Sequence, residues 1–434
     1  VADYSERLLP RLAQFFDIHL YGHTTPPVSN QIQTMFQWFP RRMFELQNRR
    51  TPYDLNIYHL GNSHIHQFVY PMLARYPGAV VLHDANVHHA RAYSHLGHRN
   101  LNDYLDELEW CHGEEGRRIG PAMAHGFHSP VLYDRFPMLD IACRNARGVM
   151  VHNRFARDRL QGIVPDHRIF RVDLPYYDWA LPDPETAREA LGIDRDRLVL
   201  GTFGFLTPGK GLRSILEAFR SFHADNPRSF CVLVGGSLED SFETWLHREM
   251  ETLPDVFQTG YVTDQTFQQW LAAVDIGICL RYPTQGESSD ALLRVMGAGK
   301  PVIVPDYRQF REIPGDACVR IPIYPNESYA VLSALRMLAR EPETAATIGE
   351  AARKHVLACN QGEQWIASFV HAVEKILSLE SPEPLGRSCP LRHVRVAPVM
   401  ESVVQAVKDW GDIAKDPLII DPLAGFMEEL GLDE

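Results

Sequence analysis

Short apolar runs of strand length alternate along this chain with stretches whose apolar residues recur at helical spacing. In the first half the runs fall at 17–21, 54–59, 79–83 and 148–152, each ending near Gly, Asn, Asp or His, and 168–172 adds one more. Helical patterns lie between them at 63–75, 101–109 and 154–161, and an amphipathic helix opens the chain over 1–16, with Asp3 or Ser5 as its cap. The second half repeats the texture, with runs at 198–203, 230–236, 256–260, 275–280 and 302–304 and helical patterns at 328–340, 343–357 and 364–377. This alternation predicts an α/β protein built from two doubly wound, Rossmann-like domains facing across a cleft. The expected division is 1–178 and 185–360, joined by a linker at 175–184, with a helix over 361–380 returning to the first domain. From 381 to 434 the texture turns Pro-rich and acidic, with two short amphipathic segments at 399–410 and 422–430.

Residues 275–304 read as strand, loop, helix and strand. Pro283 and Gly286 end the apolar run, Ser288 or Ser289 can cap the helix, and Gly297, Gly299 and Pro301 stop it. The first amides of such a helix lack intrahelical partners and carry the positive end of its dipole, so a phosphate is the expected guest. Arg281 and Lys210, the latter in Gly204-Phe-Leu-Thr-Pro-Gly-Lys-Gly211, supply the charge that a diphosphate needs. Glu287 and Asp290 would repel a phosphate laid on them, which casts Glu287 as an acceptor of hydrogen bonds from a neighbouring sugar.

Composition narrows the classes. With 434 residues, 45% of them hydrophobic, the chain has apolar material for two cores, and a net charge of −12 argues against general nucleic-acid binding. No apolar run approaches the roughly 18 residues of a membrane span. Seven cysteines without CxxC spacing read as reduced thiols, and no secretory leader is recognised, so a cytoplasmic location is expected. Arg41, Arg42, Arg49 and Arg50 flank Met43, Phe44 and Leu46, a mixture suited either to a peripheral contact with an anionic inner membrane face or to a solvated helix surface.

Two doubly wound domains with a phosphate-binding turn in the second form the layout called GT-B, and the motifs resemble glycosyltransferase family 4, the retaining nucleotide-sugar transferases. The resemblance rests on residues 201–212, 259–264, 280–289 and 299–304 in the second half. In the first half it rests on 80–84 with His88 and His89, and on 148–157. It implies that Lys210 sits on the donor diphosphate opposite the Ser288 and Ser289 amides, with Gly204 and Gly235 also at the donor. Glu287 would hold donor hydroxyls, His83 would lie near the sugar at the cleft, and Tyr261 and Val262 beside the base. Family members commonly carry Arg where this chain has Phe205, so Arg281 or Arg213 would supply that charge. Members often place a second glutamate where this chain has Arg294, which would be the donor contact there. Members also usually begin with a strand and glycine-rich loop ahead of residue 1, so a missing first strand is expected. The implied reaction moves a hexose-type sugar from a nucleoside-diphosphate-sugar to a polysaccharide, lipid or protein acceptor, with no metal or other cofactor.

Other readings stand beside these. A non-catalytic nucleotide-sugar-binding module or a GT-B epimerase or hydrolase would use the same ligands. Gly204 to Gly211 approaches a P-loop, but Gly211 replaces the hydroxyl that would hold magnesium. His83, Asp84, His88 and His89 are metal-ligating residue types without helical spacing. His83 also fits a structural histidine, and Arg294 also fits an ion pair with Asp290 one helical turn away.

Overall fold

The computed structural model describes residues 2–22, 27–97, 100–126, 130–237, 239–323 and 326–384. Nearly all of the C-terminal extension, with both amphipathic segments, lies outside the described residues.

The first domain contains β1 (His19–Gly22), β2 (Gln37–Pro40), β3 (Ile57–Leu60), β4 (Ala79–Leu82), β5 (Gly148–Val151) and β6 (Ile169–Arg171). The second contains β7 (Leu198–Phe203), β8 (Ser229–Val234), β9 (Val256–Gln258), β10 (Ile276–Ile278), β11 (Val302–Pro305) and β12 (Val319–Ile321). β1 and β2 pair with each other, β3 to β6 pair in sequence, and the third sheet runs β12-β11-β10-β7-β8-β9. Every pairing is parallel.

Parallel sheets need cover on both faces, which is why their central strands, such as β4, β5, β10 and β11, are apolar. Period-two alternation then sorts each strand between two cores. Leu200, Leu233, Ile276 and Ile303 face one layer of helices, while Val199, Val232, Val302 and Val304 face the other. In the first domain Val80, Leu82, Val149 and Val151 face one core, and Ala79, Val81 and Met150 face the opposite one.

That opposite core is completed from far along the chain. The helix Gly362–Ser378 lays Trp365, Phe369, Val373 and Ile376 against it, beside Leu8 and Leu12 of the helix Ala2–Leu12. Arg147 fastens the end of the closing helix, donating to the Leu377 and Leu379 carbonyls. The two inter-domain stretches run side by side, with Tyr176 N donating to Asn360 O at 2.8 Å and Asn360 Nδ2 to Leu174 O at 2.7 Å.

The close approach depends on Gly148, where a Cβ would stand 2.5 Å from Ile376 Cγ1. Gly148→Val is therefore expected to push the closing helix off its strand and destabilise the chain by roughly 1–3 kcal/mol. Calorimetric unfolding checks this: an unchanged melting profile would show that the helix is not seated there.

Candidate functional site

The carboxyl ends of β7, β8 and β9 form one row. After β7 the chain turns at Gly204, whose φ of 84° suits glycine, and then passes through the short turn Pro208–Lys210 into the helix Leu212–Asp225. The turn folds Lys210 back so that Nζ donates to Phe203 O at the end of its own strand. A Cβ on Gly204 would lie 3.1 Å from Lys210 Nζ and 3.6 Å from the Ala291 Cβ, which places the ammonium beside the first turn of the helix Asp290–Gly297. Gly235, after β8, approaches so closely that a Cβ there would meet Gly204 O at 2.4 Å. Gly204, Gly235, Lys210 and the helix start thus converge. Lys210 is only 7% exposed, and burial lowers its pKa to about 8.

Ser289 is the cap of that helix, its hydroxyl accepting from Leu292 N at 3.3 Å. Ser288 instead joins the domains: its hydroxyl accepts from Asn153 Nδ2 at 3.0 Å and donates to His152 O at 3.3 Å. Asn153 Nδ2 also donates to Gly286 O, and a Cβ on Gly286 would strike Ala85 and Phe155 of the first domain. Glu312 accepts from the Arg154 and Phe155 amides, both at 2.9 Å, closing the cleft at the start of a first-domain helix. Asn153, Ser288 and Glu312 carry this interface, and Glu312 stood outside every motif. Gln309 and Glu312 follow β11 in a segment with no local signal.

Glu287 is engaged within its own loop. One carboxylate oxygen pairs with Arg281, and the other accepts from Thr284 Oγ1 at 2.9 Å and Gln285 N at 2.7 Å. Gln309 Nε2 supports the same loop through Thr284 Oγ1 and Glu287 O. The group is a clamp that fixes Arg281 and the loop. Asp84 faces it from the first domain, pushed up to about 7 by burial and by the Glu287 charge, against the opposing pull of the Asn62 amide and Arg281.

His83 is likewise engaged on both sides. Val172 O can only accept, so His152 Nδ1 donates to it at 2.8 Å. The neutral His152 ring then accepts at Nε2 from His83 Nδ1 at 3.2 Å, and His83 Nε2 accepts from His59 Nδ1 at 3.1 Å. Burial and the neighbouring imidazoles keep His83 well below its ordinary pKa, in line with this neutral chain. Each His83 ring nitrogen thus has an imidazole partner, as a structural histidine would. The signal was present in the sequence, since His59, His83 and His152 lie at the ends of three strands that pair in register. His88 is buried between Phe136 O and Tyr104, while His89 stacks on Tyr133, so these two do not converge with His83 and Asp84.

Arg294 makes the ion pair with Asp290 at 2.7 Å, reaches Asp264 at 3.7 Å, and lies over Trp179 and Phe267. Tyr261 is 80% exposed after β9, with Phe205 beside it at 5.9 Å between ring centroids, and Val262 is half-buried. Arg213 packs over Trp245, away from the row. In the 41–50 segment Phe44 is buried, which removes it from the exposed face that carries Arg41, Arg42, Arg49 and Arg50. Among the described residues no helix is long and apolar enough to cross a membrane, and no cluster of three His, Cys, Asp or Glu has metal-site geometry.

Residues 183–355 match the family model of glycosyl transferases group 1. The group 1 match runs from just before β7 to beyond β12 and so contains Lys210 and the 281–289 loop. No curated protein matches the chain. Among solved structures, Anabaena Alr3699/HepE in complex with UDP-glucose is similar, at 17% identity and TM-score 0.61, covering 86% of this chain and 96% of that one. Sucrose-phosphate synthase from Thermosynechococcus elongatus is similar at 16% identity and TM-score 0.61, covering 87% and 93%. A glycosyltransferase from Rickettsia africae follows at 13% identity and TM-score 0.55, covering 87% and 95%. These likenesses span both domains and show the fold, which is GT-B.

Proposed function

We propose that the protein is a retaining glycosyltransferase of the family 4 kind, moving a hexose-type sugar from a nucleoside-diphosphate-sugar to a glycan, lipid or protein acceptor at the cytoplasmic face. The observation that carries this is the buried Lys210 ammonium, held between the end of β7 and the amino end of the helix Asp290–Gly297. A diphosphate there meets a cation and free helix amides together. Departure of the nucleoside diphosphate builds charge on its phosphate, and preorganised donors at that point lower the barrier without a metal. The acceptor hydroxyl attacks on the face that the leaving group vacates. The UDP and UDP-glucose complexes of the Anabaena protein support a nucleotide-sugar donor. In this reading Glu287 positions Arg281, Tyr261 with Val262 borders the base, and His83 holds the strand ends.

A nucleotide-sugar-binding module without turnover is favoured by the same bonds that occupy Glu287 and His83. A panel of UDP-, GDP- and dTDP-sugars separates the two. Release of nucleoside diphosphate from one donor supports the transferase. Donor binding without release supports the module, and absence of binding to every donor and to UDP and GDP would sink both.

A further inference from the structure

Beyond the row formed by β7, β8 and β9 the cleft continues on the other side of β10, where the loops after β10 and β11 meet the first domain. An open pocket lies there, with Tyr282, Gln285, Tyr307 and Arg308 on one side and Tyr133 and Asp134 on the other. It contains none of Lys210, Gly204, Gly235 or Tyr261, yet Gln285 joins it to the Glu287 clamp through its amide.

Three features mark it as built for a ligand. Its walls are aromatic: the Tyr282 and Tyr307 centroids stand 5.5 Å apart at 69°, and Tyr282 is 44% exposed. Its polar groups are held in fixed planes, since Arg308 pairs with Asp134 at 2.5 Å across the cleft and donates to Thr284 O at 3.0 Å. Arg308 is also a non-glycine residue at φ 46°, an unfavourable conformation of the kind that clusters at ligand sites. Finally, Gln285 Oε1 is buried without a hydrogen-bond partner, and a buried acceptor left unpaired is itself unfavourable.

Aromatic faces with convergent planar hydrogen-bonding groups match a pyranose ring. Its C–H face carries slight positive charge and suits the negative face of a tyrosine, while its hydroxyls donate and accept at the rim. We propose that this pocket is a subsite for a pyranose unit of the acceptor, stacked on Tyr282, bordered by Tyr307 with Arg308 over its ring, and donating a hydroxyl to Gln285 Oε1. The proposal rests on the transferase reading. Because Asp134 and Tyr133 come from one domain and Arg308 and Gln285 from the other, the sugar bridges the closed cleft.

The test uses the full chain saturated with UDP and a panel of methyl pyranosides (glucoside, galactoside, mannoside and N-acetylglucosaminide), read by saturation-transfer NMR. At least one glycoside is expected to bind with a dissociation constant of about 1 mM, and Tyr282→Leu and Gln285→Leu each to weaken it roughly tenfold. UDP affinity by calorimetry is expected to stay unchanged in both variants. UDP binding with no glycoside binding overturns the subsite, and so does glycoside binding that neither variant weakens. Failure of UDP, GDP and their sugars to bind the native chain would instead overturn the donor reading.

Discussion

Lys210→Met binds nucleoside diphosphates roughly 100-fold more weakly than the native chain and yet unfolds at a higher temperature. The first half follows from the loss of the ammonium that stands beside the helix start at Gly204 and Ala291. The second follows from its burial. A lysine lowered to about 8 from its ordinary 10.5 is held in a place that disfavours its charge, which costs on the order of 3 kcal/mol at neutral pH. Methionine keeps the length and removes that cost, leaving Phe203 O without its donor, so the net gain is about 1–2 kcal/mol. Calorimetry with UDP and GDP measures the affinity, and a thermal scan without ligand measures the stability. Undiminished affinity for both nucleotides would remove Lys210 from the donor site.

The same shift fixes a pH dependence. Between about 8 and 10.5 the unfolded chain holds the Lys210 proton and the folded one does not, so Lys210 destabilises fully below pH 8 and its penalty fades as pH rises through that window. Ligand binding runs the other way. A bound diphosphate favours the charged lysine, so affinity falls as pH rises above about 8, and in Lys210→Met that fall disappears.

Much of the fold was legible because buried parallel strands leave little choice. β4 and β5 are apolar from end to end, β7 and β8 carry one buried hydroxyl residue each, Thr202 and Ser229, and the boundaries of all four fall within a residue or two of the runs in the sequence. β2 was not legible, since Gln37 is exposed and Pro40 ends the segment, and β12 is a three-residue edge with Arg320 at its centre. The helical pattern at 101–109 also falls short of the observed Leu101–Ala124. Gly113, at φ 63° and ψ −157°, turns the chain back on itself, so that Gly120 approaches Leu105 and Gly116 approaches Leu108. Glycines that look like helix breakers are there the close-packed crossing of two helices.

At the site, the placement of Lys210 after β7 was legible because a glycine turn after a strand has a local cause and a local consequence. The charge of Glu287 is visible in the sequence, whereas the groups that surround it are only partly local. Arg281 and Thr284 were near in sequence, but Gln309 arrives from the loop after β11. The contacts that close the cleft through Ser288, Asn153 and Glu312 join residues more than a hundred positions apart, and no periodicity encodes them.

Glu107→Ala costs roughly 3–5 kcal/mol, enough to unfold the first domain of a marginally stable chain. Glu107 is fully buried on the helix Leu101–Ala124 and takes two bonds of 2.6 Å from Arg91, itself 3% exposed and lying over the Tyr70 ring. His95 adds a third contact at 2.5 Å. Burial alone raises a carboxyl pKa, but the Arg91 charge and its hydrogen bonds overcome that and hold Glu107 at about 2. Removing the acid strands a buried guanidinium, and this stranding dominates the loss. The double variant Arg91→Met, Glu107→Leu removes both charges at similar volume and is expected to cost far less than either single loss. The sign with pH is fixed as well: the unfolded carboxyl protonates near 4.5 and the folded one near 2, so the Glu107 contribution is complete above 4.5 and is lost as pH falls toward 2. Denaturant unfolding of the three proteins at neutral pH and at pH near 3 measures these differences. A double variant as unstable as Glu107→Ala would show that packing at this crossing, and not the stranded charge, sets the cost.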